Sequence, residues 1–423
     1  MARVLVVGAG IAGDALAVLL ERTGWQVVVA EVAPALRTGG HTIDLRGPSA
    51  AVLDSLDLLQ ACRAHLVPQR GIAWVDAHGR RQAQMSVGAL DGQGFVSPEE
   101  LLRSDLARLL HHATGAGTAH RFGETVQALE PVPGGVRAHF RHHPAEVFDL
   151  VVGADGTHSK VRSLLFGPEE RFRRRLGVGH AWFTLTETAA TEDLDGWFLV
   201  HNAPGGRVVG LRPGHPGQQE AGLSFRTRQL HLPRDARGQH ALLERVFAGT
   251  GWRARELLDA LTDAPDLAVD TFDQIHLPVW SHGRVVLLGD SAWCASPLSG
   301  LGTSLALEGA HTLAGVLTEA GAHHSASDHD VAGALARYER DMRPAVAAAQ
   351  RLPPGRVALH APRTRLGIRG AAAVLRAASS PRLSPLTDRL AAGHAGAPDL
   401  RPYDLRTTPV TASASDAAGR AAG

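Results

Sequence analysis

Arg3-Val-Leu-Val-Val7-Gly8-Ala9-Gly10-Ile11-Ala12-Gly13-Asp14 stands at the head of the chain, and its reading decides the fold. Four apolar residues ahead of the first glycine read as a buried strand. Ala12 to Thr23, with Ala15, Leu16, Leu19 and Leu20 at helical spacing, reads as a helix, and Gln26 to Ala30 as a second strand. Glycines at 8, 10 and 13 allow a tight turn, close backbone approach to a pyrophosphate and close packing of helix on sheet. The unpaired amides of the helix start then face the phosphates. Glu31, 18 residues beyond Gly13, ends the second strand, where its carboxylate can accept hydrogen bonds from ribose hydroxyls. Asp14 sits awkwardly beside a pyrophosphate, so its side chain is expected to point away or to cap the helix.

Two later segments repeat the pattern of strand end, acid and glycine. Val151-Val-Gly-Ala-Asp155-Gly156 is one, and Leu288-Gly-Asp290-Ser-Ala-Trp293-Cys-Ala-Ser-Pro297-Leu-Ser-Gly300-Leu301-Gly302 is the other. In the second, Pro297 stiffens the approach. Gly300 and Gly302 leave the backbone open at the start of a helix from about Thr303. Free amides there can stabilise negative charge on a bound ring system.

These ordered motifs, with Tyr338-Glu-Arg-Asp-Met-Arg-Pro344, resemble the class A FAD-dependent aromatic hydroxylases, the p-hydroxybenzoate hydroxylase-like group. The branch is similar to tetracycline-modifying and aromatic polyketide monooxygenases, over roughly residues 1 to 350. The resemblance implies that Gly8, Gly10, Gly13 and Glu31 hold the ADP half of FAD and that Arg103, in Leu101-Leu-Arg-Ser-Asp-Leu-Ala, reaches the cofactor. Asp155 and Gly156 match the motif serving both FAD and NAD(P)H. Asp290 matches the acid on the ribityl hydroxyls, and Arg37 and Asp44, flanking Gly39-Gly40, match a loop beside the flavin. The implied activity is hydroxylation of an aromatic or polyketide-like small molecule with NAD(P)H and O2 through a C4a-hydroperoxyflavin, in a setting such as antibiotic biosynthesis. Trp293 and Leu301 depart from the family's commonest residues. A flavin-dependent halogenase, another flavin oxidoreductase of the same fold, and a non-catalytic flavin-binding module remain as alternatives. The Trp-x-Trp-x-Ile-Pro stretch of a halogenase is missing, and Lys160 is the only lysine.

The expected architecture is α/β, with a discontinuous Rossmann-like FAD-binding domain (1–72, 98–170 and 281–330) and an inserted mixed β-sheet for substrate (73–97 and 171–280). C-terminal helices over 331–395 and a flexible tail over 396–423 complete it. Within the first part, 49–64 and 98–113 read as helices. Trp and Phe residues at 182, 183, 197, 198 and 225 are candidates for an aromatic pocket. Arg46, His201 and Arg212 are weaker substrate-side candidates, and no catalytic base is assigned.

Composition bounds the rest. With 423 residues, 43 Lys+Arg against 42 Asp+Glu and a formal charge of +1, the chain has room for large cores and no field for a polyanion, which argues against nucleic acid. Cys62 and Cys294 form no zinc spacing. The histidine pairs at 111–112, 142–143 and 323–324 lack an HExxH or a regular carboxylate partner, so no metal is expected. There is no Gly-x-Ser-x-Gly elbow. No apolar run approaches a bilayer span and no secretory pattern opens the chain, so the expected location is cytoplasmic. From Arg351 to Arg406, ten arginines face three aspartates.

Overall fold

The computed structural model describes residues 1–37, 39, 41–89, 96–186, 194–229, 231–325, 327–378, 400–403 and 405. Gly40, most of the expected tail, and the part of the expected C-terminal helices beyond 378 lie outside them.

The opening stretch forms β1 (Arg3–Val7), α1 (Ile11–Arg22) and β2 (Gln26–Glu31). β1 pairs in parallel with β2 on one side, Val7 opposite Ala30, and with Leu150–Gly153 on the other, Val7 opposite Gly153. Thr118–Phe122 extends the sheet beyond β2. Val285–Leu287 and the antiparallel Ser281–His282 extend it beyond Leu150–Gly153. Chain order therefore reverses at the carboxyl end of β1, the crevice where open α/β sheets bind ligands. Every residue of α1 from Ile11 to Leu20 is buried, because the helix is covered on its far side by the Gly302–Glu319 helix. The apolar stripe read from the sequence is thus part of a wider buried surface.

The second sheet has seven strands, in the order Ala268–Ile275, Arg173–Thr186, Gln218–Arg226, Arg207–Pro213, Trp197–Ala203, Gly71–Val75 and Arg81–Ser86. It is antiparallel except where Trp197–Ala203 runs parallel to Gly71–Val75. Its strand Gly71–Val75 begins two residues before the expected boundary at 73.

Two expected helices are corrected. The 49–64 stretch divides into Ser49–Ser55 and Leu59–Arg63, because Asp57 adopts a left-handed backbone (φ 61°) that no helix continues through. In the 98–113 stretch, Glu100–Leu102 is a strand paired with Thr42–Asp44, and the helix begins only at Arg103. Among the described residues no helix is long and apolar enough to cross a membrane.

Candidate active site

The glycine turn is held by backbone contact. Gly8 has φ +110°, and a β-carbon there would lie 2.5 Å from the Ala154 carbonyl oxygen. Gly10 is the N-cap of α1, offers no side-chain cap, and faces open space except for the Arg103 guanidinium at 3.8 Å. Glu31 reaches back to this turn. One of its carboxylate oxygens accepts from the Ala9 N–H (2.9 Å) and the other from the Ala33 N–H (2.8 Å), leaving lone pairs for further donors.

In front of the turn lies a cavity of about 470 Å³ that joins both sheets. Gly10, Ile11, Ala12, Arg103, Gly156 and Asp290 line one part of it, and Pro297, Gly300, Gly302 and Thr303 another. Asp290 lines the cavity with its side chain accessible from it. Desolvation by its surroundings raises its carboxyl above the usual carboxylate range, and Arg103 opposes that shift. Burial and Arg37 lower Arg103, while Asp290 and Glu31 favour its charge. The Gly302–Glu319 helix has Leu301 as its N-cap with no side-chain cap, so its first amides are presented toward the cavity.

The far part of the cavity is aromatic and charged. Trp74, Trp182, Phe183, Phe198 and Phe272 line it with His41, His180 and His360. Burial holds these three histidines neutral, at about 4, 3 and 4 respectively. His180 stacks on Trp182, and both His180 Nδ1 and His360 Nε2 share the Ser224 hydroxyl, at 2.7 and 3.0 Å. Arg212 is ion-paired to Glu100 and lies over the Phe198 ring. Burial works against its charge, but Glu100, Glu220 and Asp44 outweigh it. Asp44 is raised to about 7 by burial and by Glu100, and Glu220 to about 7 by burial against the pull of Arg212. Glu220 accepts from the Thr42 N–H at 2.8 Å.

Several sequence-based candidates fall elsewhere. His201 is not a pocket residue: its ring is buried against the Val75 and Thr250 carbonyls, inside the second sheet. Arg46 pairs with Asp44 at 3.0 Å without lining the cavity itself. The Asp155 carboxylate turns away, accepting from Ser159 Oγ and from the Lys160 and Val161 N–H groups at a helix start. Leu301 points outward, 36% exposed, and Gly8, Gly13, Glu31 and Arg37 stand behind or beside the lining. Trp197 lies against Arg81 and Phe225 is in the core with Phe247. Trp293 is 2% exposed, packed between Trp280 and Tyr338 behind the cavity, with Gly309 facing its ring.

The sequence reading missed Trp74, His41, Glu100 and Glu220, which carry no local motif. It also missed Arg356 and His360, which bring part of the arginine-rich C-terminal region to the cavity wall.

Residues 1–352 match the model of the FAD binding domain family, and the chain belongs to that family. An uncharacterized protein of Mycobacterium tuberculosis is 41% identical over 323 residues, 76% of this chain and 86% of its own length. The FAD-dependent monooxygenase asL4 of Sarocladium schorii is 32% identical over 362 residues, 81% of this chain and 84% of its own. Among solved structures, the tetracycline destructase Tet(51) superposes with a TM-score of 0.74 at 25% identity, covering 93% of this chain and 96% of that one. Klebsiella pneumoniae HpxO, complexed with FAD and uric acid, gives 0.70 at 23% identity over 92% and 97%, a likeness of fold. The chain is an FAD-dependent monooxygenase of the class A hydroxylase type.

Proposed function

We propose that the cavity seats FAD along its glycine-lined part and an electron-rich aromatic or polycyclic substrate in its aromatic part. The supporting observation is that one continuous cavity joins the β1–α1 turn, the uncapped start of the Gly302–Glu319 helix and the ring-lined face of the second sheet. The lining fits a flavin because side chains are missing where the cofactor needs space: Gly300 and Gly302 have no atom within 4 Å of a β-carbon.

In this reading Gly8, Gly10, Gly13 and Glu31 serve the ADP half, and Arg103 and Asp290 flank the middle. Pro297, Gly300 and Gly302 present backbone to the ring, with Gly156 also lining the cavity and with Arg37 and, on the strand that follows it, Asp44 beside them. Bound flavin supplies the redox chemistry, taking electrons from NAD(P)H and activating O2. The protein supplies position, exclusion of water and charge stabilisation. The amides at the Gly302–Glu319 helix start stabilise anionic ring character without a charged side chain. Asp44 and Glu220, at about 7, can each hold or release a proton near neutral pH, beside the fixed cation of Arg212.

The first sheet, broadly 1–70, 98–170 and 281–330, then acts as the cofactor half, and the second sheet as the substrate half. The ring-lined walls and the likeness to tetracycline destructases support a flat, multi-ring substrate. The test is NAD(P)H consumption by FAD-loaded protein over a panel of phenolic and polycyclic compounds, with mass spectrometry of products. A gain of one oxygen atom is expected. NAD(P)H oxidation that yields only peroxide with every aromatic compound overturns the substrate assignment.

A further inference from the structure

Behind the dinucleotide turn, three elements bring metal-ligating atoms together. α1 contributes Asp14, the last turn of the Arg103–Ala113 helix contributes His111, and the Thr118–Phe122 strand contributes His120. Asp14 is 0% exposed, while His120 and His111 are 10% and 22% exposed. His120 Nε2 lies 3.1 Å from Asp14 Oδ1 and 3.2 Å from His111 Nδ1, and His111 Nδ1 lies 4.0 Å from Asp14 Oδ2. Asp14 Oδ2 has no hydrogen-bond partner among the described residues.

Hydrogens alone do not satisfy this arrangement. A ring nitrogen offers either one hydrogen or one lone pair in its plane, and His120 Nε2 faces two partners at hydrogen-bond distance. If it donates, its one hydrogen has to be shared between Asp14 Oδ1 and His111 Nδ1, and Asp14 Oδ2 still receives none. If it accepts from His111, it turns a lone pair toward the carboxylate. A buried carboxylate oxygen without a donor adds a further cost. A cation between the three groups turns every one of these lone pairs into a favourable contact.

We propose that Asp14, His111 and His120 form a divalent transition-metal site, of the zinc type, beside α1 and outside the cavity lining. The donor set of two imidazoles and one carboxylate suits zinc. Bonds of about 2.0–2.2 Å in a tetrahedron place ligand atoms about 3.3–3.6 Å apart, a little wider than two of the three separations observed and narrower than the third. The wider third separation and the partly exposed His111 leave a side open for a water as fourth ligand. None of Asp14, His111 and His120 is among the residues that line the cavity. The metal therefore touches neither cofactor nor substrate. It ties α1 to the helix whose first residue, Arg103, lines the cavity.

The absence of a metal expected from the histidine pairs is thereby revised. His111 finds its carboxylate partner 97 positions earlier in the chain, where no spacing rule looks for it. This inference stands apart from the flavin reading, since none of the three residues serves it.

The test uses tag-free, FAD-loaded protein stripped with a chelator and titrated with zinc chloride at pH 7.5. Calorimetry and elemental analysis then give the metal bound per chain. One tightly held equivalent is expected, with a rise in melting temperature that fades on acidification as protons compete with the metal for its ligands. His111→Gln and His120→Ala should each weaken that equivalent by at least about tenfold while the flavin spectrum stays unchanged. The partly exposed His111→Gln decides alone if His120→Ala does not fold. No tightly bound equivalent, or one that His111→Gln retains, overturns the proposal.

Discussion

A β-carbon on Gly13 would stand 1.9 Å from the Gly8 carbonyl oxygen, so the first turn of α1 and the end of β1 touch through bare backbone. Gly10, between them, meets nothing nearer than Arg103 at 3.8 Å. Two glycines of one motif thus have separable duties. Gly13→Ala should destabilise the apoprotein by about 3 kcal/mol. Gly10→Ala should cost the apoprotein about 1 kcal/mol or less, yet weaken FAD binding by about tenfold or more, roughly 1.4 kcal/mol, because its methyl group enters the cavity. Denaturant melts of apoprotein and flavin titrations separate the two effects. Equal losses of stability count against this division.

Asp290 carries a carboxyl raised by the desolvation of its surroundings and faces the same cavity as Arg103. Asp290→Ala should weaken FAD retention by about 0.5–1.5 kcal/mol for each hydrogen bond lost. Flavin content after gel filtration and a fluorescence titration measure it. Unchanged affinity removes Asp290 from the cofactor site.

Glu308, inside the Gly302–Glu319 helix, is raised from 4.5 to about 7 by burial. Between those values the folded chain keeps a proton that the unfolded chain has released. The associated stability is full below pH 4.5 and is lost as pH rises through 7. Glu308→Gln should match the natural chain near pH 4.5 and exceed it at pH 8, by about 3 kcal/mol at most. Melting temperatures across that range check the sign. A variant less stable at pH 8 contradicts it.

Arg212 is the cation among Glu100, Glu220 and Asp44. Its removal leaves Glu100, 0% exposed, without a cation, beside the Ser97 N–H at 2.9 Å and the Asp44 carboxyl. Arg212→Met should cost the apoprotein about 3–5 kcal/mol, and Glu100→Gln in the same chain should restore part of it. Denaturant unfolding of the two variants decides; a loss below about 1 kcal/mol shows that the group is solvent-screened.

The sequence makes the cofactor side legible because its signals are local. Val4 to Val7, the glycines at 8, 10 and 13 and the Asp290 to Gly302 segment each combine strand end, turn and helix start within a few residues. The substrate side is built otherwise. Thr42 meets Glu220 across 178 positions, and His360 meets Ser224 across 136. Single residues such as Trp74 or His41 carry no spacing that marks them. Arg46 and His201 had suitable chemistry and went elsewhere, because ion pairing to Asp44 and carbonyl partners within the sheet fix their orientation. The helix expected over 49–64 fails at one backbone angle, that of Asp57, which no periodicity reveals.

Gly309 and Trp293 form a matched pair: a β-carbon on the glycine would lie 2.9 Å from the indole ring. The bulk at one position occupies the volume forgone at the other, so the Asp290–Trp293 turn and the long helix beyond Thr303 interlock like a key in a slot. A change at either residue alone produces a collision or a void, which confines tolerated variation here to coordinated exchanges. The same interlock fixes the acid-bearing turn against the helix about two turns beyond its start, so the Asp290 carboxylate and the first helix amides share one rigid support.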